Sequence, residues 1–202
     1  MKQMLLMIVA FGWAALSCGA ELPTRFVQAM QRALDADATW TMTKTLPQLS
    51  KPLISSGEVS CWQTKGMIWK TLLPWEEEIH LFKTSMTFIS EDATETKAYD
   101  EMPYYEDICE ATDDFLAGDM DAFDDLFDWT WQEGDGGAWT MTLEVEYRQM
   151  HRLFKTITLT GNDVLETVTF VSDDESKGKT HLRFSETGCT THSLWHFLAD
   201  EL

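Results

Sequence analysis

The sequence predicts an α+β fold, a twisted antiparallel sheet that is apolar on one face together with short amphipathic helices. Three observations predict it. From Trp139 onward apolar and polar residues alternate through four successive runs, the period-2 signature of strands with one dry and one wet face. Between Lys51 and Leu81 turn signals and short aromatic runs follow one another, as in a meander. At residues 23–35 and 104–128 the apolar spacing becomes helical.

In chain order, residues 1–20 read as an export signal, with Lys2 as the n-region, an uncharged apolar run from Met4 to Leu16, and small residues at Cys18-Gly19-Ala20. The run is too short for a stable membrane span. Cleavage after Ala20 leaves a single domain, 21–202; the alternative is a lipoprotein acylated at Cys18, although Ala15 stands where that signal usually has Leu. Leu22, Phe26, Ala29, Met30 and Ala33 make the apolar stripe of a helix over 23–35 with Pro23 in its first turn. Trp40 and Met42 alternate with Thr39, Thr41 and Thr43 in a strand over Thr39–Thr45, and Pro47 with a Ser-rich link separates it from Gly57.

Gly57 opens a run from Glu58 to Trp62, Lys65-Gly66 turns the chain, Met67–Leu72 runs back, and Pro74 precedes a third run near Glu78. Met67 and Trp69 share one face and Ile68 and Leu72 the other, while Ile79 and Leu81 lie opposite His80 and Phe82. Trp62 falls on either face. A turn around Asp92–Thr96 leads to a weak strand, Lys97–Met102. Two short helices over 104–128 join at Ala117-Gly118-Asp119. Their acidic side suggests calcium, but Phe123 takes a ligand position and the loop glycine and terminal glutamate are missing, so a solvated face is the better reading. After the loop Gly134–Gly137, Trp139, Met141, Leu143, Val145 and Tyr147 share the dry face, followed by Leu153, Ile157 and Leu159, then Val168 and Phe170, then Leu182 and Phe184. Thr191–Leu202 reads as a closing helix.

At 202 residues and 44% hydrophobic composition the chain can bury a sizeable core. Its formal charge of −19 becomes −20 without Lys2, which excludes nucleic acid as a partner and disfavours lasting contact with anionic head groups. No catalytic set is present. The five histidines are scattered, no Ser or Cys sits in a nucleophile elbow, and His192, His196 and Asp200, four apart on the last helix, lack a fourth ligand. Neither a metal nor another cofactor is expected, and the chain is not read as an enzyme. Cys61, Cys109 and Cys189 show no metal spacing, and two of them can pair in an oxidising compartment in any of three ways.

Several motifs occur in a recognisable order: Thr43-Lys44-Thr45-Leu46, Lys51-Pro52-Leu53, Ser55-Ser56-Gly57, Lys65-Gly66-Met67-Ile68-Trp69, Leu116-Ala117-Gly118-Asp119 and Ile157-Thr158-Leu159-Thr160-Gly161-Asn162. This order resembles the LolA-related branch of the outer-membrane lipoprotein carriers, over most of the mature chain. The resemblance implies an open, incomplete antiparallel β-barrel with short helices over its concave apolar face, and acyl chains of lipoproteins or lipids held between them. It further implies a monomeric carrier in the Gram-negative periplasm that shuttles lipid between docking proteins of the inner and outer membranes. On that picture the ligand-facing residues are Met42, Met67, Trp69, Ile79, Leu81, Trp139, Met141, Leu143, Val145, Ile157, Leu159, Val168, Phe170, Leu182 and Phe184. Around Trp62–Lys70 this chain has only Lys65 and Lys70 where the best-known carriers place an arginine. A membrane-anchored lipid-sensing or accessory envelope protein of the same fold is the alternative. Burying acyl chain contributes about 0.8 kcal/mol per CH₂, so ten methylenes offer roughly 8 kcal/mol before ordering costs.

Overall fold

The computed structural model describes residues 23–33, 36–62, 66–82, 84–101, 127–146, 154–172 and 174–186. Its framework is one helix, α1 (Thr24–Ala33), and eleven strands: β1 (Asp37–Thr45), β2 (Leu53–Trp62), β3 (Gly66–Leu73), β4 (Glu77–Leu81), β5 (Ser85–Ser90), β6 (Thr94–Ala98), β7 (Phe127–Glu133), β8 (Trp139–Val145), β9 (Thr156–Gly161), β10 (Leu165–Val171) and β11 (Lys179–Glu186). All eleven form one antiparallel sheet in the order β6-β5-β4-β3-β2-β1-β11-β10-β9-β8-β7. Two meanders, β1–β6 and β7–β11, are thus sewn together by the pairing of β1 with β11. The sheet is not closed: among the described residues β6 and β7 are its two edges. This is an open antiparallel barrel carrying a short helix. The exposed β6 edge bears an ion pair between Lys97 and Glu95 at 3.2 Å, charge that discourages pairing with another chain.

The strands form because alternation separates the two faces. Cross-strand partners share a face, and the rows Leu143↔Ile157↔Phe170↔Thr180 and Met141↔Leu159↔Val168↔Leu182↔Met42↔Ser55 run across the sheet on its inner side. The outer side carries matching rows of threonine, such as Thr142↔Thr158↔Thr169, whose β-branched stems suit strands and whose hydroxyls suit water. Thr160 and Thr167 hydroxyls hydrogen-bond across β9 and β10 at 2.7 Å. Register slips at Leu72 and at Glu166 insert one residue into β3 and β10, the local kinks by which a sheet bends.

Each half of the sheet carries the same device, a tryptophan lying over a cross-strand glycine. Trp40 faces Gly57, and Trp139 faces Gly161. A Cβ at 57 would overlap the Lys70 carbonyl oxygen and meet the Trp40 ring at 2.9 Å; one at 161 would overlap the Val164 carbonyl and the Trp139 ring. Glycine therefore makes room for each indole. A second indole then stacks on the first: Trp69 on Trp40 at 4.5 Å and Trp131 on Trp139 at 5.4 Å. The buried indole N–H groups are satisfied, Trp40 donating to the Glu58 carbonyl at 3.1 Å and Trp139 to the Asn162 carbonyl at 2.7 Å.

Several sequence expectations need correcting. β2 begins at Leu53, so Gly57 lies inside a strand under Trp40 rather than opening it, and the Ser-rich link is itself paired with β1. Residues 85–90, unassigned from sequence, form β5, and β6 occupies Thr94–Ala98, which takes in half of the expected turn and ends before Met102. Phe127 and Asp128 belong to β7 and not to a helix ending at 128. Of the helix read over 23–35, Thr24–Ala33 is helical, its first backbone bond running from Val27 N–H to the Pro23 carbonyl at 3.2 Å, and residues 34 and 35 lie outside the described residues. Residues 1–20, Cys109, Cys189, the rest of the 104–128 helices and the closing helix with His192, His196 and Asp200 lie outside the described residues.

Candidate functional site

The inner face of the sheet is lined continuously by large apolar side chains, and α1 lies over part of it. Phe26, Ala29 and Met30, at positions i, i+3 and i+4, form the buried stripe of the helix. Phe26 stands edge-on to Trp131 and Trp139, at 6.4 and 5.8 Å, which fixes the N-terminal half of α1 on β7 and β8. The C-terminal half is held by Arg32. Its guanidinium donates to the Asp163 carbonyl at 2.9 Å and lies 3.7 Å from the Asp163 carboxylate, in the turn between β9 and β10. That turn also touches the β7–β8 loop, where the Asn162 amide donates to the Gly136 carbonyl at 3.2 Å.

Between the C-terminal half of α1 and the middle of the sheet is a cavity of about 100 Å³. Met30 and Ala33 roof it; Ala38, Val59, Met67 and Trp69 form one wall, and Val168 and Phe184 the other. Arg32 and Glu166 are the charged residues at its border. It lies where the two meanders meet. Cys61 is on the wall, paired in register with Met67.

Of the fifteen residues named from sequence, Met67, Trp69, Val168 and Phe184 line this cavity. Met42, Ile79, Leu81, Trp139, Met141, Leu143, Val145, Ile157, Leu159, Phe170 and Leu182 continue the same inner face in one buried cluster, against which Phe184 packs partly buried. Trp62, unassigned from sequence, shares the outer face, because its neighbour Cys61 faces inward. Sequence reasoning placed Ala33 on the packing stripe of the helix but missed the other small residues that make the void, Ala38 and Val59, together with Arg32 and Glu166. Ala38 was within reach, being two residues before Trp40 on its strand. It also missed Met86, Phe88, Trp129 and Trp131, since β5 and β7 were not identified.

The charged groups of the outer face form a local network. Glu78 bridges Lys70 at 3.1 Å and His80 at 3.1 Å. Lys70 is held protonated to higher pH than usual, first by its hydrogen bond to Glu78 and then by that carboxylate's charge. Burial works to raise the Glu78 carboxyl, but the hydrogen bonds from His80 and Lys70, with their charges, together bring it below its usual value. Among the described residues no three His, Cys, Asp or Glu side chains converge as a metal site.

The fold and site define an open antiparallel barrel with an apolar concave face and a helix-covered cavity. Among solved structures the chain is similar to the LolA superfamily protein NE2245 from Nitrosomonas europaea, at 9% identity over 82% of this chain and 90% of that one, with a TM-score of 0.41. It is similar also to LprF from Mycobacterium bovis, at 11% identity over 95% of both chains and a TM-score of 0.36. A third similar structure is an outer membrane lipoprotein-sorting protein domain from Vibrio parahaemolyticus, at 9% identity over 83% of this chain and 94% of that one, with a TM-score of 0.35. No protein-family model matches the chain, and no curated protein does. Among the described residues no helix is long and apolar enough to cross a membrane.

Proposed function

We propose that this protein is a periplasmic carrier, acting as a monomer and without chemistry of its own, that binds acyl chains of lipoproteins or other lipids in the trough beneath α1 and moves them between the envelope membranes. The observation that carries the reading is the apolar cavity between a single short helix and the inner face of the sheet. A core that served only packing would fill such a space, because voids cost stability.

The cavity as it stands is small. Pockets for small molecules start at roughly 300 Å³, so a volume of about 100 Å³ admits an acyl chain only when the roof moves. The helix is attached by few contacts: Phe26 stands edge-on to the stacked Trp131 and Trp139, Ala29 and Met30 pack on the apolar core, and one exposed arginine ties the last turn to Asp163. Lipid binding is thereby set against lost self-packing, and the empty protein closes on its own apolar face. Met30 and Met67 on the walls adapt to chains of varied shape.

The experiment is mass spectrometry of organic extracts from protein purified out of the periplasm, followed by titration of the delipidated protein with a fluorescent fatty-acid analogue. Co-purified acyl lipid and saturable uptake of the analogue are the expected results. Protein that emerges free of lipid and takes up no analogue refutes the carrier reading.

A further inference from the structure

The cavity beneath α1 is polar on one side only. It runs across the sheet from β10 to β3, and its β2–β3 wall, with Val59, Met67 and Trp69, is apolar. Among the described residues its only charged border groups are Arg32 and Glu166, and both lie by the β9–β10 turn, Arg32 through its contacts to Asp163 and Glu166 as the second residue of β10. A molecule that fills this space is therefore an amphiphile. Its chain points toward β3 and its polar end stays at the turn.

The two charges on the polar side are not equivalent. Arg32 is already engaged, since its Nη1 donates to the Asp163 carbonyl and lies 3.7 Å from the Asp163 carboxylate, which balances its charge. Glu166 has no hydrogen-bond or ion-pair partner among the described residues. Its position is set by the backbone: Leu165 pairs with Gly161 and Thr167 with Thr160, which makes Glu166 the extra residue of a bulge, and alternation back from Phe170 and Val168 puts it on the inner face. One uncompensated negative charge thus stands at the rim of an apolar space.

Resting on the carrier reading above, we propose that Glu166 selects cargo by its polar end, so that acyl lipids whose head group carries an ammonium are taken in preference to those that end in a carboxylate. An ammonium offers three N–H donors and a positive charge, and a carboxylate without a partner accepts the one and balances the other. A carboxylate head group at the same place meets Glu166 and Asp163 while Arg32 is occupied, and like charges repel. Glu166 is exposed, so the discrimination is several-fold and not absolute. The overall charge of −19 also attracts cations, but it does so at every surface and is screened by salt.

The test is displacement of a fluorescent fatty-acid analogue from the delipidated protein by dodecylammonium or by dodecanoate, both below micelle-forming concentrations and at physiological salt. For wild type the ammonium probe is expected to displace at a several-fold lower concentration. Glu166→Gln should bring the two probes to within twofold of each other. Glu144→Gln removes the same charge from an exposed position on the outer face of β8 and should keep the wild-type ratio. Equal displacement by both probes in wild type overturns the selection and leaves acyl carriage standing, whereas a protein that takes up no analogue overturns both. A preference that survives in Glu166→Gln, or that Glu144→Gln abolishes equally, belongs to the overall charge and overturns the role given to Glu166.

Discussion

Replacing Ala38 by leucine separates a binding cavity from an ordinary packing defect. Ala38 is partly buried, packs against the core, faces Val59 across β2 and lies on the cavity wall. Leucine adds three carbons that grow into the void. At about 0.8 kcal/mol per buried CH₂ the gain has a ceiling of about 2.4 kcal/mol. The cavity gives the same ceiling, since about 24 cal/mol per Å³ over about 100 Å³ is again about 2.4 kcal/mol. Imperfect fit typically removes about 1 kcal/mol of this, so urea unfolding should show Ala38→Leu to be more stable by about 1 to 2 kcal/mol. An acyl chain seated there loses the contacts that leucine now makes, and about 2.4 kcal/mol at 1.4 kcal/mol per decade is roughly fiftyfold in affinity. Titration of wild type and variant with a fluorescent fatty-acid analogue reads the loss directly. A variant stabilised as expected whose affinity is unchanged would show that acyl chains do not use this cavity, and the carrier reading would lose its main support.

Three further perturbations follow from the same geometry. Arg32→Ala removes an exposed link between α1 and Asp163, so its effect on stability should stay within about 1 kcal/mol, while stopped-flow uptake of the acyl probe should become several-fold faster because the roof is released. Gly57→Ala places a methyl group against the Lys70 carbonyl and the Trp40 ring, and the unfolding midpoint should fall by the equivalent of about 3 kcal/mol or more, among the largest losses for adding one methyl group. For Glu78 the folded carboxyl titrates below its usual value, so its stabilising contribution is present above the unfolded value and is lost as pH falls through the folded one. Stability measured on the acid side should therefore decline less steeply in Glu78→Gln than in wild type; parallel curves would refute the role given to the Lys70–Glu78–His80 network.

How much of this was readable in the sequence depended on whether a strand's two faces differ. β8 to β11 alternate cleanly because one face is buried and the other carries Thr, Glu and Arg, and residues such as Met141, Leu159 and Leu182 were placed on the inner face from spacing alone. β6 has no buried face; Thr94–Thr96 reads as a turn and only Lys97 and Ala98 as strand, because pairing with β5 at the sheet's edge, and not burial, holds it extended. β7 was hidden for another reason. Phe123, Leu126 and Phe127 sit at helical spacing, and the alternation of Phe127, Trp129 and Trp131 that pairs with Val145, Leu143 and Met141 begins on the last of them. The cavity was the least visible feature, since it is made by what Ala33, Ala38 and Val59 do not fill, and absent volume leaves no hydrophobic signal.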